Sequence, residues 1–199
     1  LSYRDAAGNV SSTSVDLEIS RGRYYADWRS VRVWLSGGVL YADVDDGMFN
    51  LSLPVPGLEP TGAWELALIG STDYHHVEVQ VSDLTVSDAR VRPSPPSPPH
   101  APPPPFLAPM SERLSTSFES TPASMTLQGE ASVSGGSLQL MSSQRGRGAA
   151  IVHAPLGHEL LVSLHMKWGT TSYWYLHRVM AGAFSVAFFD AAACGAPSG

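Results

Sequence analysis

Nine of the thirteen residues from Pro93 to Pro105 are proline, in the run Pro-Ser-Pro-Pro-Ser-Pro-Pro-His-Ala-Pro-Pro-Pro-Pro. Proline has no amide donor and locks φ at about −65°, so neither a helix interior nor a sheet interior can absorb such a run. The conformation it favours is extended polyproline II, which rises ~3.1 Å per residue and would stretch these thirteen residues to ~40 Å. The tract divides two segments that both read as strands. The expectation is two bodies on a semi-rigid spacer: residues 1–90, a linker over 91–113, and residues 114–199. Proteolysis near Arg92 or around Ser111 to Arg113 should then release both.

Of the 199 residues, 43% are hydrophobic and only 15% charged, which describes a globular chain on either side of the tract. A net charge of -6 without a clustered basic face argues against binding a phosphate backbone, so nucleic acid is not an expected partner. No apolar run reaches the roughly eighteen residues a membrane-spanning helix needs. The opening residues Leu1 to Asp5 are neither an initiator methionine nor a signal peptide, and the chain reads as an excerpt from something longer. The Ser-Pro-Pro repeats resemble the hydroxyproline-rich glycoproteins of plant and green-algal cell walls, which implies an extracellular, cell-wall or matrix location. Cytoplasmic ligands of small adaptor domains share this composition. Two N-glycosylation sequons, Asn9-Val-Ser11 and Asn50-Leu-Ser52, agree with secretion. The single cysteine, Cys194, rules out an internal disulfide framework. It is either a buried thiol or the partner of a cysteine elsewhere, and no His-Asn context marks it as catalytic.

The first segment is patterned as strands and tight turns. Val31, Val33 and Leu35 alternate with Arg32 and Trp34, a Ser36-Gly37-Gly38 turn follows, and Val39 to Val44 returns to the Asp45-Asp46-Gly47 corner, predicting a β-meander. Phe49, Leu51 and Leu53 share one face and Asn50 and Ser52 the other, which puts the second sequon on the solvent side. Val77, Val79 and Val81 alternate with polar residues as a closing strand. In the second segment, Met125 to Leu140 reads as short strands around glycine turns, and Val162, Leu164, Met166 and Trp168 alternate with Ser163, His165 and Lys167. Ala183 to Phe189 is apolar on both faces, predicting a strand between layers. The fold class is an all-β sandwich.

These residues resemble the legume-lectin-like, or concanavalin A-like, jelly-roll domains. The phrases Trp28 to Trp34, Gly38 to Tyr41, Asn50 to Pro54 and Gly62 to Val77 look like the last strands of that fold. Phe118, Met125 to Val133, Gly136 to Leu140, Gly148 to Val152, Val162 to Met166 and Ala181 to Phe188 follow its opening order. The resemblance implies two partial copies in tandem, the C-terminal part of one before the N-terminal part of the next. Neither would be complete, and unpaired edges with an uncovered apolar face should leave the isolated chain poorly packed.

The family's bridging metal site takes an Asp followed four residues later by an Asn, so the resemblance points to Asp5 and Asn9 as Ca²⁺ ligands. Tyr3 and Ala7 stand where the family has further site residues, so the set is partial and Ca²⁺ binding should be weak or absent; an ordinary Asp-Gly-Asn turn fits the same phrase. The family's sugar-contacting Asp falls at Gly182, in Ala181-Gly-Ala-Phe184, which removes the usual acceptor for two sugar hydroxyls. Sugar stacking would then fall to aromatic rings, with Trp168 and Trp174 the candidates, although Tyr173, Trp174 and Tyr175 also suit a strand with a covered face.

Other chemistry is poorly represented. Asp16 and Glu18 have the two-residue spacing of paired glycosidase carboxylates, but no third acid accompanies them and an alternating strand points both to water. Asp43, Asp45 and Asp46 read as a solvated corner rather than a calcium loop, and adjacent His75 and His76 in a strand face opposite ways. No enzyme is expected. The function expected is an extracellular carbohydrate-binding, lectin-like module of a larger repeat-containing glycoprotein, with glycans or cell-wall and matrix glycoproteins as partners. The alternative is a non-catalytic structural or adhesion segment that has lost sugar binding.

Overall fold

Alternation of apolar and polar residues becomes fourteen strands and, among the described residues, no helix. The computed structural model describes residues 1–4, 10–13, 28–45, 49–56, 64–72, 77–92, 106–142, 146–154, 156, 159–170 and 182–190. Before the tract lie β1 (Ser2–Arg4), β2 (Val10–Ser12), β3 (Arg29–Ser36), β4 (Val39–Val44), β5 (Phe49–Pro54), β6 (Trp64–Thr72) and β7 (Val77–Arg92). After it lie β8 (Phe106–Thr116), β9 (Met125–Gly129), β10 (Ser132–Ser134), β11 (Ser137–Met141), β12 (Arg147–Val152), β13 (Leu160–Thr170) and β14 (Gly182–Asp190). Every pairing among the described residues is antiparallel.

The expected meander is present as β3, β4 and β5, and its first turn places Gly37 and Gly38 at φ 58° and 73°. Two successive left-handed residues make the turn whose twist suits a hairpin, and only glycine adopts both without strain. Gly135 and Gly136 repeat the device between β10 and β11, at φ 59° and 75°.

An eight-stranded sheet runs β10-β11-β7-β13-β3-β4-β5, with β8 also paired to β7, and a four-stranded sheet runs β14-β6-β12-β9. The strand expected to close the first segment, β7, is therefore interior, with β13 on one side and β11 and β8 on the other. β6 lies between β14 and β12, both from beyond the tract. Among the described residues, β1–β2, β3–β4–β5, β9–β12 and β10–β11 pair within their own segment; β7 with β8, β11 and β13, β13 with β3, and β6 with β12 and β14 all pair across the tract.

One hydrophobic cluster fills the space between the sheets. Val33, Leu66, Leu68, Val81 and Val86 meet Leu138, Leu140, Val152, Val162 and Leu164 in it, with Phe118 fully enclosed. Burying each such side chain contributes about 1.5–3 kcal/mol. The expectation of two separate, poorly packed bodies is corrected here: the segments are complementary parts of one sandwich, because each covers the apolar faces and strand edges that the other leaves open. The expected linker over 91–113 is also revised. Arg92 ends β7, and residues 106–113 belong to β8. Arg92 and Phe106 are Cα partners, so the ends of the proline tract stand side by side instead of ~40 Å apart. The tract itself lies outside the described residues.

Pro109 sits in β8, where the register against β7 shifts twice, which accommodates a residue that cannot donate to the ladder. Among the described residues β14 is an edge strand; its Phe184, Val186 and Phe188 pack against the core while Ser185 on its other face is exposed, where the sequence pattern predicts cover on both faces. Gly70, Gly148 and Gly129 stand in register across β6, β12 and β9. A Cβ on Gly148 would lie 1.8 Å from the Leu140 carbonyl oxygen, so this row lets the four-stranded sheet close directly onto β11. Among the described residues no helix is long and apolar enough to cross a membrane.

Candidate functional site

The outward face of the eight-stranded sheet carries the side chains that alternation directs away from the core, and register sets them in rows. Thr85, Ser163, Arg32, Asp43 and Asn50 form one row across five strands. Arg32 donates to Asp43 from Nε at 3.0 and 3.1 Å and from Nη2 at 2.8 Å. Asp43 is only 5% exposed, so the corner read as solvated contains a buried, arginine-held carboxylate. On one side of this row the rings of Trp34 and Tyr41 stack with centroids 5.1 Å apart and planes 9° from parallel.

On the other side the face opens into a solvent-accessible depression of about 540 Å³ lined by Trp28, Ser30, Asp45, Ser82, Asp83 and His165. Ser30 and Ser82 are the register partners of His165 on β3 and β7, which brings these three positions together from strands on both sides of the tract. Trp28 stands just before β3 and is 43% exposed, one of two large apolar side chains described as exposed. Asp45 follows β4 with φ 54°; its amide donates to the Ser30 carbonyl, and Arg29 donates to its Oδ2.

Asp83 owes its position to a bulge. Thr85 pairs with Ser163 and Ser82 with His165, so two residues of β7, Asp83 and Leu84, oppose one of β13. Asp83 takes the left-handed conformation at φ 50°, a cost that aspartate tolerates better than most residues. Its Oδ2 accepts from Ser82 Oγ at 3.0 Å and lies 3.2 Å from His165 Nδ1. With Nδ1 engaged there, Nε2 is the ring nitrogen that can meet a ligand.

The depression thus combines an exposed indole face, two carboxylates, two serine hydroxyls and an imidazole. That set suits a polyhydroxylated ligand with an apolar face: the ring takes the C–H side and the oxygens and nitrogens exchange hydrogen bonds with hydroxyls. The volume lies in the range of small-molecule sites.

The residues singled out from sequence fall elsewhere. Asp5, Asn9 and Trp174 lie outside the described residues, as do Asp16, Glu18, His75, His76 and Cys194. Trp168 is placed on β13 opposite Val79, and its side chain is not described. Asn50 is exposed on β5, beside Ser52, which is also exposed. Gly182 opens β14 opposite Thr72. Among the described residues no three His, Cys, Asp or Glu side chains are grouped to hold a metal ion.

Sequence reasoning missed Asp83 and the depression it shapes. The signal was a slip in phase: Val79 and Val81 are inward at odd positions, Leu84 and Val86 at even ones, so an extra residue must sit between them. No protein-family model matches the chain, and no curated protein matches it in sequence.

Proposed function

We propose that this chain is a carbohydrate-binding module that takes a short oligosaccharide in the depression on the outward face of the eight-stranded sheet. The carrying observation is the exposed Trp28 beside Asp45, Asp83 and His165 in one open cavity. An exposed indole offers a flat apolar face on which a sugar ring can stack while neighbouring carboxylates accept from its hydroxyls. The role proposed is binding. Arg29 holds Asp45, and Ser82 and His165 hold Asp83, which fixes both carboxylates in place as acceptors for ligand hydroxyls. The exposed sequon at Asn50 supports an extracellular module, and with it the reading of a lectin-like jelly roll within a larger matrix or cell-wall glycoprotein. Any Ca²⁺ at Asp5 and Asn9 would be accessory.

One observation favours the structural or adhesion reading. Gly182 stands at the start of β14 where the lectin resemblance places a sugar-contacting Asp, so the family's own sugar site would lack its carboxylate. A glycan array probed with the wild-type chain and with Trp28→Ala, each with and without a calcium chelator, separates the two. The carbohydrate reading expects selective, chelator-insensitive binding that Trp28→Ala abolishes. No bound glycan, or binding indifferent to Trp28→Ala, overturns it.

A further inference from the structure

We propose that this chain exchanges halves with a second copy of itself, giving a dimer of two sandwiches in which each is built from residues before the tract of one chain and after the tract of the other. Two observations carry this. First, the strand pairs that cross the tract are the ones that hold the sandwich together: β6 has both its partners beyond it, and β7 and β13 pair across it along most of their length. Each half is therefore an open surface whose complement is the other half, and residues 93–105 are the covalent connection between them. Nothing in those contacts distinguishes a complement from the same chain from one supplied by a second copy.

Second, the connection is ill suited to closing on itself. Arg92 and Phe106 are paired across β7 and β8, so within one chain thirteen residues, nine of them proline, must leave and return to the same place. Proline-rich sequence favours an extended path of ~3.1 Å per residue that stays stiff over several residues, and bending it back costs free energy. In the exchanged dimer the tract runs from one sandwich to the next and needs no return. Strain in a connection that must close on itself invites such exchange.

The exchange also bears on the depression. Trp28, Ser30, Asp45, Ser82 and Asp83 precede the tract and His165 follows it, so in the dimer each depression is completed by the second copy. The ligand proposal does not depend on this, since the same six residues line the site in either arrangement.

The test uses full-length chains. Leu68→Pro breaks β6 before the tract and Val162→Pro breaks β13 after it, so neither variant alone can build an intact sandwich. Refolded together, they form one intact sandwich from the two undamaged halves. The expected result is a heterodimer regaining about half the strand signal and cooperative transition of wild type, one sandwich of two being whole. In parallel, light scattering should find wild type dimeric after refolding at high concentration. Replacing residues 93–105 with a longer Gly/Ser segment should lower the dimer fraction by roughly tenfold or more, since a flexible tether closes readily. A wild type monomeric at every concentration overturns the proposal. So does a dimer whose two proline variants fail to complement, because that dimer would be joined side by side.

Discussion

Gly148 shows how tightly single residues constrain this fold. An added methyl group would meet backbone, the Leu140 carbonyl oxygen at 1.8 Å and the Ala131 amide nitrogen at 2.8 Å, and backbone cannot rotate aside. Gly148→Ala should therefore cost about 3 kcal/mol, lowering the melting temperature by roughly 6–12 °C. Gly37 is the control. Its Cβ would meet nothing within 4 Å, and only φ 58° opposes substitution, so Gly37→Ala should cost about 1 kcal/mol. Thermal melts of the two check whether space or backbone conformation dominates. Equal losses would mean that the four-stranded sheet does not close onto β11. At Asp43 the expected loss is electrostatic. Asp43→Ala leaves Arg32 without its fork of hydrogen bonds on a partly exposed face and should cost about 1–3 kcal/mol by urea denaturation. A loss below about 0.5 kcal/mol would class the pair with ordinary surface salt bridges.

Among the elements, β7 carries the most consequential irregularity. Deleting Asp83 would put Leu84 opposite Leu164, make the ladder with β13 regular, and keep Val79, Val81, Leu84 and Val86 on the core face. The deletion variant should fold with at most a modest loss of stability, yet lose ligand binding, because the carboxylate beside His165 is gone. Circular dichroism and a glycan-binding assay on the same sample test both halves of that statement. A deletion variant that binds like wild type would remove Asp83 from the site, and one that fails to fold would show that the bulge is structural. Much at this scale is legible in sequence. The turns at Gly37–Gly38 and Gly135–Gly136, the meander of β3, β4 and β5 and the solvent-facing Asn50 follow from local pattern alone. The depression does not, because Ser30, Ser82 and His165 meet only through pairings of β13 with β7 and β3, strands far apart in the sequence and on the other side of the tract. His165 reads from its own strand as one more outward polar residue. The Arg32–Asp43 pair is hidden for a related reason: three acids in one phrase suggest a solvated corner until the facing arginine is placed.

At the scale of the whole molecule, the proline tract is legible and its consequence is not. Its composition suggests separation, yet the strands on either side satisfy each other's edges, and that complementarity is a property of tertiary pairing rather than of any segment. The sequence reading expects two incomplete halves. That they join in one core is read only from the strand pairings across the tract. Residues that share one core should unfold together, so calorimetry should show one transition rather than two. The most direct measurement cleaves the folded chain at a protease site engineered within residues 93–105 and passes the product through a sizing column in native buffer. The two fragments should co-elute as one folded species that separates only in denaturant. Two separately eluting fragments, each with its own cooperative melt, would contradict the shared core.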